Sequence, residues 1–138
     1  MSEGTPHELI NPESLSEPAG FSHAVVAAHG RTVYLGGQTG HRADGTLPGS
    51  GVLEQLDQAL ANVVEALRAA GARPEHLVSV QIFVTDAARY RAGMADAGEV
   101  WRRHLGRYYP AVALVEVTGL FDPDAVLELL CVAVVPDP

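Results

Sequence analysis

Apolar residues along this chain recur with two periods, one of strands and one of helices. Phe21 to Ala28 is a short apolar run, and Thr32-Val33-Tyr34-Leu35 is a second. His29-Gly30 lies between them, so the pair reads as a β-hairpin across a tight turn. Gly36-Gly37-Gln38-Thr39-Gly40 ends the second strand, and residues 40–51, rich in Gly, Asp and Pro, read as a loop. Leu53, Leu56, Leu60, Val63, Val64 and Leu67 then fall on one stripe of a helix, with Glu54, Gln55, Asp57 and Gln58 filling the other face. Gly71 sits where a helix ends on glycine.

Leu77 to Val84 reads as a strand that places Val78, Val80, Ile82 and Val84 on one face. Thr85-Asp86 closes it. A second helix is expected from about Tyr90 to Leu105, with Met94, Ala97, Trp101 and Leu105 as its stripe and Gly106 as its stop. Ala111 to Val117 and Val126 to Val134 are the last strands, joined by a Gly/Asp/Pro loop. The order β-β-α-β-α-β-β predicts an α/β sandwich of one sheet and two helices. Residues 1–17, polar and carrying Pro6 and Pro12, read as an N-terminal arm ordered where it docks, and 18–138 as a single domain.

Composition narrows the function classes. The chain has 138 residues, enough for one core. Nine basic residues against seventeen acidic ones give a net charge of −8, which argues against a nucleic-acid partner, since that binding rests on Lys and Arg at phosphates. Arg102-Arg103, the densest basic spot, reads as a solvated helix face. Cys131 is the single cysteine, so no intrachain disulfide forms, and a reducing, cytoplasmic setting is expected. It lies among Leu129, Leu130 and Val132 and reads as a buried small hydrophobe. No apolar run reaches the roughly 20 residues of a membrane span, so no membrane partner is expected.

Common catalytic signatures are missing. There is no G-x-S-x-G elbow, no Walker sequence and no G-x-G-x-x-G after a strand. The six histidines are scattered and none forms an i, i+4 zinc pair. Neither a metal nor a cofactor is expected.

Four segments, in order, resemble the YjgF/RidA family, also called endoribonuclease L-PSP. Pro18-Ala19-Gly20-Phe21-Ser22-His23-Ala24-Val25 is similar to its G-P-Y-S-Q-A-V opening, and Val33-Tyr34-Leu35-Gly36-Gly37-Gln38 to its V-F-V-S-G-Q strand. Gln58, Asn62 and Ala69-Ala70-Gly71-Ala72 fit its first helix, and Val80-Gln81-Ile82-Phe83-Val84-Thr85-Asp86 its next strand. Tyr109-Pro110-Ala111-Val112-Ala113-Leu114-Val115-Glu116-Val117 is similar to P-A-R-S-A-V-E-V. The resemblance implies a chorismate-mutase-like subunit, one mixed sheet with two helices on one face, and a homotrimer whose sheets form a central barrel. It also implies ligand clefts between subunits, where reactive imines or enamines are hydrolysed to 2-oxo acids and ammonia. There an arginine grips the substrate carboxylate and a glutamate positions water.

Carried over residue by residue, the resemblance makes Glu128 the catalytic glutamate, from Leu127-Glu128-Leu129 against the family's I-E-I. Phe21, Gly36, Gly37, Gln38, Tyr109, Val112 and Leu114 become the substrate cleft. Glu116 and His23 are secondary candidates, Glu116 because alternation puts it on the face of Val112 and Leu114, His23 because it shares Phe21's face. Phe21 stands where the family has tyrosine. Val112 stands where it has the arginine, and no arginine lies at 110, 111, 113 or 114. Losing one partner of a buried charge pair costs on the order of 2–5 kcal/mol. The expected cleft is therefore more apolar, with non-canonical substrate choice. Two readings follow. One is a hydrolytic deaminase of a small imine or enamine; the other is a non-catalytic homotrimer that binds a small molecule or a partner. A ribonuclease is disfavoured by the acidic charge.

Overall fold

The computed structural model describes residues 4–138. Strands β1 (Glu8–Ile10) and β2 (Ala24–Val26) pair antiparallel as a small ribbon. A four-stranded sheet follows the order β3-β6-β4-β5, from β3 (Gly30–Tyr34), β4 (Leu77–Val84), β5 (Ala111–Glu116) and β6 (Leu127–Pro136). β4 and β5 run parallel; β6 is antiparallel to both β3 and β4. Helix α1 (Val52–Ala69) joins β3 to β4, and α2 (Ala87–Ala92) with α3 (Met94–Leu105) joins β4 to β5. The sheet is thus mixed, with its helices on one face.

The core lies between that face and the helices. Leu56, Leu60, Val63 and Leu67 of α1 are buried against Val80, Ile82, Val84, Leu127, Leu129 and Cys131. Each fully buried side chain of this size contributes roughly 1.5–3 kcal/mol. Helix α1 stops where the sequence said it would. Gly71 takes φ +80° and the next amide, Ala72 N–H, donates to Leu67 O at 2.8 Å.

The structure corrects four expectations. The hairpin across His29-Gly30 does not form: β2 pairs with β1 of the N-terminal arm, and β3 pairs with β6. Gly30 lies inside β3, and a Cβ there would stand 1.9 Å from Val135 O, so close backbone approach explains the glycine better than a turn. The second helix is two helices. Asp86 caps α2 by accepting from Arg89 N–H at 3.0 Å, and Gly93 both ends α2 and starts α3. In β4, a register shift between Leu77 and Ser79 turns Leu77, not Val78, toward the core. Finally, Gln55 is not on the solvated side of α1 but wholly buried.

The arm docks through a histidine. His7 is buried; its Nδ1 accepts from Ala28 N–H at 3.0 Å, which leaves Nε2 to donate to His76 O at 2.9 Å.

Candidate functional site

β5 is an edge strand, and its helix-facing side opens into a cavity of about 410 Å³. Ile82, Val112 and Leu114 form its floor; the register pairs Val80 with Val112 and Ile82 with Leu114. One wall is the segment Ala19-Gly20-Phe21. Ser22 holds it there, since its N–H donates to Pro110 O at 2.9 Å and its hydroxyl to Tyr109 O at 2.7 Å. The other wall is Tyr90 from α2 and Met94, Ala97, Gly98, Trp101 and Arg102 from α3. Tyr109 closes the end, stacked on Trp101 at 6.3 Å and 17°. Trp101 is fixed by donating Nε1–H to Tyr108 O at 3.1 Å. Burial raises the Tyr90 phenol above its ordinary value, so it stays neutral.

The expected site residues separate into two groups. Phe21, Tyr109, Val112 and Leu114 all line this cavity. Gly36, Gly37, Gln38 and Glu128 do not: the two glycines meet Glu128 at the far side of the sheet, and Gln38 pairs with the helix-facing Leu129. β6 alternates so that Leu127, Leu129 and Cys131 face the helices, whereas Glu128 shares the uncovered face with its partner Phe83. Leu35 N–H donates to Cys131 O, and Gln38 exchanges both backbone bonds with Leu129. Gly36 and Gly37 lie between those anchors opposite Leu130 alone, a bulge beside Glu128. A Cβ on Gly37 would stand 1.9 Å from Glu128 Oε2, so the absent side chain is what lets the carboxylate lie there. The carboxylate has no hydrogen-bond partner among the described residues.

Glu116 does share the helix face with Val112 and Leu114, but its Oε1 accepts from Ala87 N–H at 2.8 Å. It completes the N-terminus of α2 rather than the cavity lining. His23 meets Phe21 edge-on at 5.1 Å and its Nε2 bonds Ser16 O at 2.7 Å. It lines a second hollow with Phe21, Ala111, Val112 and Ala113. Trp101, expected in the packing stripe of the second helix, is also a cavity wall together with Tyr90, and half-buried Arg102 lines the same cavity. Gly98 was the available signal: glycine inside a helix costs about 1 kcal/mol against alanine, so it points to a close neighbour.

The loops near Glu128 are tied by polar links. Thr39 Oγ1 donates to His41 Nδ1 at 2.5 Å, and His41 Nε2–H donates to Asp122 at 2.8 Å. Asn62 donates to Thr39 O and His41 O at 3.0 and 2.8 Å. Among the described residues no group of three His, Cys, Asp or Glu is placed to hold a metal, and no helix is long and apolar enough to cross a membrane.

A family model described as endoribonuclease L-PSP matches residues 12–135. The chain belongs to that family, the YjgF/RidA or Rid proteins. It is 33% identical over 101 residues to a 2-iminobutanoate/2-iminopropanoate deaminase of Capra hircus, spanning 72% of this chain and 69% of that protein. It is 32% identical over 129 residues to the RutC family protein UK114 of Drosophila melanogaster, spanning 91% and 88%. Among solved structures, a Rid-family protein of unknown function, YyfB from Yersinia pestis, is 33% identical with a TM-score of 0.84, covering 94% of this chain and 98% of that one. The Rid fold is therefore shared by sequence and by architecture.

Proposed function

We propose that this Rid protein is a homotrimeric hydrolytic deaminase of a reactive imine or enamine, with substrate choice unlike that of its deaminase relatives. The observation that carries the reading is the division of the site residues between two sheet faces. Glu128 and the Val112 cavity cannot meet within one chain, so a shared site needs a second copy. The uncovered face supports such an assembly: Tyr34 (79% exposed), Val115 (45%) and Leu130 (38%) offer apolar surface there with no helix over it. The deaminase named among the relatives supports the chemistry.

In this reading the cavity holds the substrate's side chain, and Glu128 of a neighbouring copy faces the imine carbon. Glu128 takes a proton from water, and the oxygen adds to the C=N carbon. Glu128 returns that proton to the nitrogen, and the new hydroxyl passes its own proton to the nitrogen through the same carboxylate as its C=O forms, so the C–N bond breaks and a 2-oxo acid and ammonia leave. The balance is imine plus water giving oxo acid plus ammonia, with no redox partner. Gly37 gives the carboxylate its place, and Val112 withdraws the strand arginine that the family uses.

The test generates imines in situ with an amino-acid oxidase and follows 2-oxo acid release. Faster release with the protein, lost in Glu128→Ala, is the expected result. Equal idleness of both forms would overturn the enzyme reading and leave the non-catalytic binder, which Val112 itself favours. Light scattering that shows a monomer would remove the inter-subunit site.

A further inference from the structure

Among the described residues the cavity between α3 and β5 carries one charged side chain, Arg102, and no acid lines it. The guanidinium folds back over its own helix: a Cβ on Gly98, one turn earlier, would lie 3.1 Å from Arg102 Nη1. Gly98 thus provides the space in which the guanidinium turns toward the cavity. Neighbouring basic side chains are engaged elsewhere. Arg103 pairs with Asp57 at 2.9 Å, and His104 Nε2 reaches the same carboxylate at 2.6 Å. The Arg102 side chain has no hydrogen bond or ion pair among the described residues, although the chain is acidic, at −8.

A guanidinium with five donors, unpaired beside an apolar cavity on a half-buried residue, is matched by an oxyanion. The floor opposite it is Val112, the position where the family resemblance expects the carboxylate-binding arginine. Valine there leaves room for an apolar group down to Trp101 and Tyr109. We infer that this cavity binds a small carboxylic acid with an aromatic body, with Arg102 gripping the carboxylate from the helix side and Trp101, Tyr109 and Phe21 enclosing the ring. A volume of about 410 Å³ lies within the roughly 300–1,000 Å³ of small-molecule sites. The inference deepens the deaminase reading by naming its substrate class, and it rests on that reading only for the reaction, not for the binding.

Stable 2-oxo acids serve as probes. Calorimetry compares phenylpyruvate, pyruvate and the uncharged phenylacetamide on the intact protein, Arg102→Gln and Arg103→Gln. Phenylpyruvate should bind at least about tenfold tighter than pyruvate, and Arg102→Gln should weaken it about tenfold or more while sparing phenylacetamide. Arg103→Gln removes the same net charge and should change neither. Equal binding of phenylpyruvate to wild type and Arg102→Gln overturns the inference, as does no preference over pyruvate. A parallel turnover assay separates the two proposals. Arg102-dependent binding without imine hydrolysis sinks the deaminase reading alone. Imine hydrolysis indifferent to Arg102 sinks this one alone. Matched melting temperatures for wild type and Arg102→Gln confirm that folding is unchanged.

Discussion

Gln55→Leu should destabilise this protein far more than a surface change on a helix. Gln55 Nε2 donates to Gly49 O at 2.8 Å and Asp124 O at 3.1 Å, and its Oε1 accepts from Val126 N–H at 2.8 Å. One side chain therefore ties α1 to the loop before it and to the segment that starts β6, two residues before Glu128. Leucine fills much the same volume but leaves two carbonyls and one N–H without that partner. At about 1 kcal/mol net for each bond, the loss is about 3 kcal/mol. That is a large part of a total of roughly 5–15 kcal/mol. For a chain of this size it lowers the melting temperature by roughly 6–12 °C. The assay is urea and thermal unfolding at matched protein concentration, because any assembly would make stability concentration-dependent. Gln58→Leu is the control. Its Nε2 makes one bond, to Asn62 Oδ1 at 3.0 Å, on a half-buried side chain, so its cost stays below about 1 kcal/mol. A loss under about 1 kcal/mol in Gln55→Leu would refute the reasoning and show that the two loops are held by other contacts.

Gly37→Ala should leave the fold intact, since its φ is not positive, yet push the Glu128 carboxylate back by about 1.5 Å, from 1.9 Å to an ordinary contact near 3.4 Å. A misplacement of that size costs on the order of a hundredfold in turnover, and the Gly37→Ala/Glu128→Ala double variant should be no slower than Glu128→Ala alone. Additive losses would separate the two residues. Burial pushes the Cys131 thiol up to about 12, so the native protein should resist thiol reagents at neutral pH and react fully only in denaturant. Rapid native labelling would contradict its place in the core. Burial also holds the His76 imidazole below its ordinary value of 6.5. A base with a depressed folded value favours folding when neutral, so its stability contribution is intact above pH 6.5 and declines as pH falls from 6.5 toward the folded value. His76→Gln should flatten that part of the stability profile; an unchanged slope would clear His76 of it.

What the chain determined by itself was the placement of α1 and of the strands β3 to β6, and its family. Period 3.6 in 53–67 and period 2 in 80–84 are local properties, and Gly71 and Gly106 mark helix ends because their positive φ suits glycine. The family segments likewise lie in order along the chain. Pairing was another matter. β2 prefers the arm and β3 prefers β6, because backbone partners are chosen by what lies alongside in space, and Gly30 looked like a turn when it was a close crossing. Gln55 looked solvated because helical spacing says which side a residue is on, but not what folds over that side. The candidate site shows the same limit. Val112 and Glu128 were both legible as positions, yet only the register of β4 between β5 and β6 put them on opposite faces of the sheet. Arg102 gained its place through α3 packing beside the edge strand, a contact between residues distant in the chain that no local pattern encodes.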